Sequence, residues 1–155
     1  MNAVRWLLKV PVPWVFVLTY LVGLGVELTA RHRGPIEAHP NVAIAGGALF
    51  AIGAVIAGWG LLTFRRARTT TVPGQASSQL VTWGPYRFTR NPMYVGLTLA
   101  YLGEAGILRQ FWPIVVAPLV LAYVNWIVIS VEEAKLREVF GAEYERYRAR
   151  VHRWI

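Results

Sequence analysis

The chain has 155 residues, of which 55% are hydrophobic and only 15% charged, and its net charge is +8. A soluble domain carries about 25% charged residues, so this composition is typical of a membrane protein. The absence of cysteine excludes disulfides and thiolate metal sites, and the three scattered histidines have no metal-ligand spacing, so no metal is expected. Basic residues beside apolar segments meet anionic lipid headgroups, which predicts membrane lipids as partners and no nucleic acid.

Three uncharged segments are long enough to cross a bilayer. They cover residues 10–26, 40–64 and 110–131 and contain 17, 25 and 22 residues. A spanning helix needs about 20. We predict that the first is a retained helix rather than a cleaved signal peptide, because its apolar core exceeds the usual length of about 7–15 residues. A fourth segment, residues 93–108, is shorter and contains Glu104, so it spans only if it pairs with the next helix or lies partly in the interface.

The distribution of positive charge predicts the topology. With four spans, 13 of the 16 basic residues fall on the side that holds both termini, and the positive-inside rule places that side in the cytoplasm. We therefore predict an all-α, multi-pass membrane protein with about four transmembrane helices and cytoplasmic N- and C-termini. The short link Arg109-Gln110 makes the last two spans a tight hairpin. The polar stretch 67–82, with a turn at Pro73 and Gly74, is predicted to be a cytoplasmic loop.

Two acidic residues lie near the non-cytoplasmic ends of the first and third spans. Glu27 and Glu104 either reach the headgroups and pair with Arg31 and Arg109, or serve a function as intramembrane acids often do.

A cluster of polar and basic residues precedes the third apolar segment. Asn91 suits an N-cap and Pro92 the first helical position, so a helix is predicted to begin here. Arg87 and Arg90 lie within a turn of its positive end, which favours a carboxylate or a phosphate. Anchoring to lipid phosphates is the alternative. Gly96 permits close approach of either a helix or a ligand.

The C-terminal tail, residues 132–154, is predicted to be one cytoplasmic helix that is interfacial or docked on the ends of the spans. Its apolar stripe consists of Leu136, Phe140, Tyr144, Tyr147 and Val151. At its start, Glu132 and Glu133 are either a solvated pair or a pair with one carboxylate directed inward, and Arg137 is spaced for a salt bridge with Glu133.

Two blocks of residues in this chain resemble the isoprenylcysteine carboxyl methyltransferases and their relatives, the phospholipid N-methyltransferases. The first block is Leu80, Val81, Thr82, Gly84, Pro85, Tyr86, Arg87, Arg90, Asn91, Pro92, Met93, Tyr94, Val95 and Gly96. The second is Glu132, Glu133, Leu136, Phe140, Gly141, Tyr144, Tyr147, Val151, Arg153 and Trp154. The resemblance covers residues 64–154. It divides the single membrane domain into an N-terminal two-helix region, 1–64, and a catalytic region, 65–155.

The resemblance implies transfer of a methyl group from S-adenosyl-L-methionine to a lipophilic or prenylated acceptor. Arg90 and Glu133 are then expected to position the reactants, and no residue is assigned as a catalytic acid or base. The implied cofactor-binding residues are Tyr86, Arg87, Arg90, Asn91, Pro92, Tyr94, Gly96, Glu132, Glu133, Tyr144 and Tyr147. Many members of the family have histidine where this chain has Asn91, which cannot titrate near neutral pH, so no proton transfer is assigned to this position.

The resemblance is compatible with more than one methyl acceptor. An isoprenylcysteine-like carboxylate is the leading candidate, and a phospholipid amine or a thiol is the alternative. Two further classes are a non-enzymatic membrane scaffold, whose charges serve topology alone, and a membrane reductase with a nicotinamide cofactor, for which the chain has no motif.

Overall fold

The computed structural model describes residues 10–30, 41–67 and 79–155, and every regular element within them is helical. The long helices are α1 (Val12–Thr29), α2 (Asn41–Arg66), α3 (Pro92–Ile107) and α4 (Trp112–Phe140), and a short α5 covers Ala142–Arg148. A 3₁₀ turn, Gly84–Arg87, precedes α3. The predicted all-α class is confirmed. Arg31 and most of the predicted loop 67–82, including its turn, lie outside the described residues.

Three of the described helices, α1, α2 and α4, are long and apolar enough to cross a membrane. Their outward faces carry exposed large apolar side chains, among them Trp14, Leu28, Ile44, Val55 and Trp126. Helix α3 has 16 residues and therefore rises about 24 Å, short of the roughly 30 Å hydrocarbon core of a bilayer. Length and composition therefore support three of the four predicted spans.

Helices α2 and α3 pack against each other through glycines that let their backbones meet. A methyl group on Gly53 would lie 2.5 Å from the Gly96 carbonyl oxygen, and one on Gly103 would lie 2.7 Å from that of Gly46. Because early residues of α2 face late residues of α3, the two helices are antiparallel. Close backbone approach through small residues is the usual means of holding helices together in lipid.

Helices α1 and α4 form a second antiparallel pair. Gly23 faces the backbone of Pro113, and the Glu27 carboxylate accepts hydrogen bonds from the backbone N–H groups of Phe111 and Trp112 at 3.0 and 2.8 Å. Glu27 therefore caps the start of α4, satisfying two N–H groups that have no partner within the helix. Glu104, the other acid considered from the sequence, is exposed.

The link between α3 and α4 is short and tight. Arg109 takes a positive φ of 54°, and the Tyr101 hydroxyl donates to the Pro113 carbonyl oxygen at 2.7 Å. The two helices are therefore consecutive antiparallel neighbours, as the sequence predicted. The start of α3 and the ends of α2 and α4 consequently lie at one end of the bundle, which we call the site end.

Helix α4 changes its winding before it reaches the site end. It is α-helical over Trp112–Tyr123, π-helical over Val124–Val128 and α-helical again over Ile129–Phe140. Single π-helical turns of this kind often occur at functional sites. The predicted continuous tail helix over 132–154 is wrong in one respect, because the helix stops at Gly141, whose φ of 47° and ψ of −120° no helix contains. The break at this glycine separates α5 from α4.

The apolar stripe of the tail survives this break. Tyr144 and Tyr147 are buried with Leu80, and the other three members of the stripe, Leu136, Phe140 and Val151, pack on the same cluster. The tail is thus docked on the chain segment that precedes α3, which is one of the two arrangements that the sequence left open.

Candidate active site

The first block of the sequence folds as a short bridge from the 3₁₀ turn to α3. Asn91 stands at the N-cap position and Pro92 at the first turn of α3, but the Asn91 side chain makes no capping bond. Its Nδ2 donates instead to the Arg153 carbonyl oxygen at 2.8 Å. The backbone N–H groups of Tyr94 and Val95 already donate to the Asn91 carbonyl oxygen. The predicted side-chain cap is therefore wrong, and little of this helix start remains open to an anion.

The centre of the site is a buried ion cluster. Arg90 Nη2 donates to Glu133 Oε1 at 2.9 Å, and both side chains are about nine-tenths buried. Arg153 approaches the same carboxylate from another side, with Nε 3.1 Å from Oε1 and Nη2 2.5 Å from Oε2. Paired arginines satisfy a carboxylate that would otherwise be costly to bury. Arg137 instead pairs with Glu145 at 2.7 Å on the surface, so the salt bridge to Glu133 that its spacing would allow does not form.

The C-terminal segment, residues 151–155, runs back across this cluster. The Arg90 backbone N–H donates to the His152 carbonyl oxygen at 2.9 Å, and the Thr89 hydroxyl donates to that of Arg153 at 3.1 Å. Together with the bond from Asn91, these contacts fix the C-terminal segment against the start of α3. The two sequence blocks therefore meet at the site end.

The π-helical turn of α4 supplies a further contact. Asn125 Oδ1 accepts hydrogen bonds from Trp154 Nε1 at 3.0 Å and from Arg153 Nη1 at 3.3 Å. The Asn125 carbonyl oxygen also accepts from Arg153 Nη1, at 3.2 Å. The turn thus presents both oxygens of one residue to the C-terminal segment.

The second carboxylate has different surroundings. Glu132 Oε1 accepts a hydrogen bond from the buried Tyr94 hydroxyl at 2.7 Å. Among the described residues, no cationic side chain pairs with Glu132, whereas Glu133 pairs with two. Glu132 is therefore the carboxylate with capacity left for a cation.

Three buried tyrosines adjoin the cluster. Burial and the negative charge of Glu133 raise the pKa of Tyr144 to about 12. Burial also raises the pKa values of Tyr86 and Tyr147. All three phenols are consequently neutral near pH 7. Tyr147 donates to the Tyr86 carbonyl oxygen at 2.8 Å.

Some buried polar atoms of the site have no hydrogen-bond partner among the described residues. These atoms are the Tyr86 and Tyr144 hydroxyls and Arg90 Nε. Leaving a buried donor unpaired costs about 1–3 kcal/mol. These three donors, together with Glu132, whose carboxylate has no cationic partner among the described residues, are the groups that a ligand with both anionic and cationic parts would need. S-adenosyl-L-methionine has a carboxylate, an ammonium and a sulfonium, so the residues present fit this cofactor.

An apolar groove leads to the site between α3 and α4. It has a volume of about 590 Å³, within the range of roughly 300–1,000 Å³ that is usual for ligand pockets. Its walls include Val95 and Leu99 of α3 and Leu121 of α4, and at one place it is bounded by Asn125 and Trp154. The groove therefore touches the same asparagine that holds the C-terminal segment.

The structure brings together most of the residues singled out in the sequence. Arg90, Asn91, Tyr94, Glu132, Glu133, Tyr86, Tyr144 and Tyr147 all lie at the site end. Arg87 is exposed, Pro92 is fully buried, and a side chain on Gly96 would meet the backbone of α2 at Ala57 and Gly53. Gly96 therefore serves helix packing, the alternative already considered for it.

Four residues of the site were not assigned from the sequence, namely Thr89, Asn125, Arg153 and Trp154. Arg153 and Trp154 belong to the second motif block but received no role. The sequence does carry a signal for Asn125, since an amide side chain in the interior of a 22-residue uncharged segment is a functional candidate. Thr89 gave no such signal, because its contact is made to a backbone carbonyl oxygen 64 residues away.

Comparison with known proteins gives a consistent result. Residues 42–143 match the phospholipid methyltransferase family. The protein-S-isoprenylcysteine O-methyltransferase of Schizosaccharomyces pombe is 40% identical over 76 residues, which cover 46% of this chain and 30% of the relative. A probable protein-S-isoprenylcysteine O-methyltransferase of Oryza sativa subsp. indica is 34% identical over 113 residues, which cover 72% of this chain and 59% of the relative. The matched region thus spans less than two thirds of each relative. No solved structure matches.

Proposed function

Because the chain belongs to the phospholipid methyltransferase family, we propose that it is a membrane enzyme that transfers a methyl group from S-adenosyl-L-methionine to a lipophilic acceptor. The leading acceptor is an isoprenylcysteine-like carboxylate, since the relatives are named as protein-S-isoprenylcysteine O-methyltransferases. One observation carries the proposal: an apolar groove between α3 and α4 reaches Asn125, which bonds through Arg153 to the buried cluster of arginines and carboxylates.

The cofactor is assigned to the site end of the bundle. When bound, it supplies an activated methyl group on a sulfonium. Glu132 is proposed to hold its ammonium, because this carboxylate has no cationic partner among the described residues. Arg90, through its unpaired Nε, is proposed to hold the carboxylate, and the unpaired hydroxyls of Tyr86 and Tyr144 are the further donors.

Glu133 has a supporting role in this proposal. It is bonded to Arg90 and Arg153 and so fixes the direction in which Arg90 presents its remaining donor. Asn91 contributes through its bond to the Arg153 carbonyl oxygen, and it moves no proton. Arg87, which is exposed, is kept only as a long-range source of positive charge.

The acceptor is proposed to enter sideways from the bilayer through the groove. Apolar walls from α3 and α4 accommodate its hydrocarbon chain and leave its polar head near Asn125 and Trp154. A carboxylate is already ionised at neutral pH, so no side chain has to remove a proton. The protein then contributes by holding the acceptor oxygen near the methyl group and excluding water, which lowers barriers by about 7–11 kcal/mol in well-oriented reactions.

The proposed topology follows the positive charges. The site end carries Arg65 and Arg66 at the end of α2 and the basic residues of α5, whereas Arg109 stands at the opposite end of the bundle. We therefore assign the site end to the cytoplasm and α3 as a fourth, shorter membrane-embedded helix held by α2. Both termini are then cytoplasmic.

A transfer assay tests the function. The purified chain in detergent is incubated with S-adenosyl-L-methionine labelled in the methyl group and with an N-acylated prenylcysteine that has a free carboxylate. We expect label in a base-labile methyl ester of the prenylcysteine. Folded protein that labels neither this acceptor nor a phospholipid would contradict the proposal.

The family description favours one second candidate, methylation of a phospholipid amine. The same assay with vesicles that contain phosphatidylethanolamine distinguishes the two candidates. Base-stable label in the lipid fraction, without labelling of the prenylcysteine, would identify the amine as the acceptor.

A further inference from the structure

Asn125 contacts both the apolar groove and the C-terminal segment. It lies in the π-helical turn of α4, where it bounds the apolar groove. On the other side it bonds to Arg153 and Trp154 of the C-terminal segment. Through Arg153 it is one step from the Glu133 carboxylate. Both oxygens of Asn125 bond to the C-terminal segment, whereas its amide nitrogen makes no hydrogen bond to the described residues.

The contacts of Asn125 determine which way its amide group points. A guanidinium and an indole N–H donate hydrogen bonds and accept none. Since Arg153 Nη1 and Trp154 Nε1 approach the same side-chain atom, that atom has to be the oxygen. The amide nitrogen is then on the other branch of the planar group, with two N–H donors. Within the described part of the chain, no acceptor is recorded for either donor, and the nitrogen is not among the buried atoms that lack a partner.

We propose that Asn125 is a specificity-determining residue whose side-chain N–H donates to an oxygen of the acceptor's polar head in the groove between α3 and α4. The inference rests on the proposed function and narrows it, because it selects the chemical class of the acceptor. A donor at this place favours a carboxylate. An ammonium or amine head would place N–H against N–H and leave a donor without a partner. The C-terminal segment is then part of the acceptor site, since Arg153 and Trp154 hold the amide in this orientation.

The π-helical turn gives this arrangement a structural reason. The extra residue of such a turn displaces the hydrogen bonds of the helix and frees carbonyl oxygens. Here the Asn125 carbonyl oxygen accepts from Arg153 at 3.2 Å and lies 3.4 Å from the Ser130 hydroxyl. In a regular helix the Ile129 N–H would donate to that oxygen, whereas here it donates to the Val124 carbonyl oxygen. The turn therefore stabilises Asn125 in the position from which it reaches both the groove and the C-terminal segment.

A pair of matched ligands tests the inference by binding alone. The probes are an N-acylated prenylcysteine with a free carboxylate and the same compound as its neutral primary amide. Binding of each to the purified protein, in the presence of S-adenosyl-L-homocysteine, is measured by calorimetry for the parent chain and for Asn125→Asp. Aspartate keeps an oxygen for Arg153 and Trp154 but replaces the N–H donors with a second carboxylate oxygen.

We expect the parent chain to bind the carboxylate more tightly than the amide. In Asn125→Asp, affinity for the carboxylate should fall at least tenfold, whereas affinity for the amide is kept or improved, so the preference is reversed. Equal losses for both probes would show that Asn125 only supports the fold, and unchanged affinities would show that it faces neither; either result overturns the inference. If Asn125→Asp does not fold, Asn125→Ala should reduce the difference between the probes to less than threefold, and an undiminished preference would overturn it.

These outcomes separate the inference from the function on which it rests. Failure of the parent chain to bind S-adenosyl-L-homocysteine contradicts the methyltransferase proposal itself. Binding of the cofactor product and of both probes, without reversal in Asn125→Asp, contradicts only the role of Asn125. Thr19→Val is the control, because Thr19 lies in α1, is not part of the groove lining, and its hydroxyl bonds only within its own helix, to the Val15 carbonyl oxygen. It should leave both affinities unchanged.

Discussion

Neighbouring carboxylates at the end of α4 have different surroundings, and we propose a different role for each. Glu133 is bonded to Arg90 and Arg153, which neutralise it within the fold. Glu132 accepts from an uncharged phenol. An unpaired carboxylate in a partly buried place attracts a cation more strongly than it would in water, because the local dielectric is lower. Glu132 is therefore the residue that we expect to contribute directly to cofactor affinity.

Glu132→Gln tests this assignment. The substitution keeps the size of the side chain and an oxygen for Tyr94 but removes the negative charge. We expect affinity for S-adenosyl-L-methionine to fall at least tenfold, which corresponds to about 1.4 kcal/mol. The control is Glu138→Gln on the same helix, where the exposed carboxylate pairs only with Lys135. Equal affinities of the two variants in a competition binding assay would show that Glu132 does not bind the ammonium group of the cofactor.

The individual residues of the site could be predicted from the sequence to different degrees. Arg90, Tyr94, Glu132 and Glu133 stand in two blocks that share one end of an up-and-down bundle, so their proximity follows from the order of the helices. The bonds made by Asn125 depend on a π-helical turn, for which the sequence has no local signature. The bond from the Asn91 side chain replaces an expected helix cap because a carbonyl oxygen from residue 153 lies within reach.

The glycines of α2 determine how closely this helix approaches α3. Gly46, Gly53 and Gly60 follow one another at intervals of seven residues and are all buried against α3. A spacing of seven returns to nearly the same face of a helix after two turns. Helix α3 is too short to cross a bilayer by its length alone. Its interface with α2 holds it in the bundle. The interface was not evident from the sequence, because glycine is common in apolar spans for many reasons.

Gly53→Ala and Gly47→Ala form a matched pair in α2. A methyl group on Gly53 would lie 2.5 Å from two backbone atoms of α3, whereas one on Gly47 would meet nothing within 4 Å. Alanine is favoured over glycine in a helix by about 1 kcal/mol. We therefore expect Gly47→Ala to keep or raise the melting temperature in detergent and Gly53→Ala to lower it by several degrees. Similar melting temperatures for the two variants would mean that α2 and α3 are not packed as described.

The tail shows that an apolar pattern can predict packing without predicting where a helix ends. Its stripe with helical spacing correctly placed five side chains in one cluster, because packing follows the apolar pattern. The same pattern continues across Gly141 and so concealed the break. A glycine within a periodic segment is compatible with a helix, and only its backbone conformation, with φ of 47°, shows that the chain turns there.

The molecule as a whole has a polar end and an apolar outer surface along its long helices. Apolar side chains cover the outer faces of α1, α2 and α4, and the ion cluster and the tail lie at the site end. A water-soluble cofactor and a lipid-soluble acceptor can reach the same place only if that place lies at the membrane surface, with one approach from water and another from the bilayer. The proposed orientation would give the site end, with the groove between α3 and α4 leading to it, both of these approaches.

Orientation in the membrane gives a prediction for the whole molecule. A reporter fused after Ile155 should be active in the cytoplasm, because the site end carries most of the basic residues of the described chain. A second reporter, inserted between Arg109 and Gln110, should be active on the opposite side. Both fusions are compared in the same cells. Reporter activity of both fusions on one side, or reversal of the two, would contradict the proposed topology and the cytoplasmic site.

Cofactor binding is the most direct test of the central claim, which is that the ion cluster at the site end belongs to an S-adenosyl-L-methionine site. The chain is purified in detergent, shown to be folded by its melting transition, and titrated calorimetrically with S-adenosyl-L-methionine and S-adenosyl-L-homocysteine. We predict saturable binding of both at one site per chain, weakened at least tenfold in Arg90→Ala. Absence of binding of either compound to the folded protein at millimolar concentration, or affinity unchanged by Arg90→Ala, would contradict the claim.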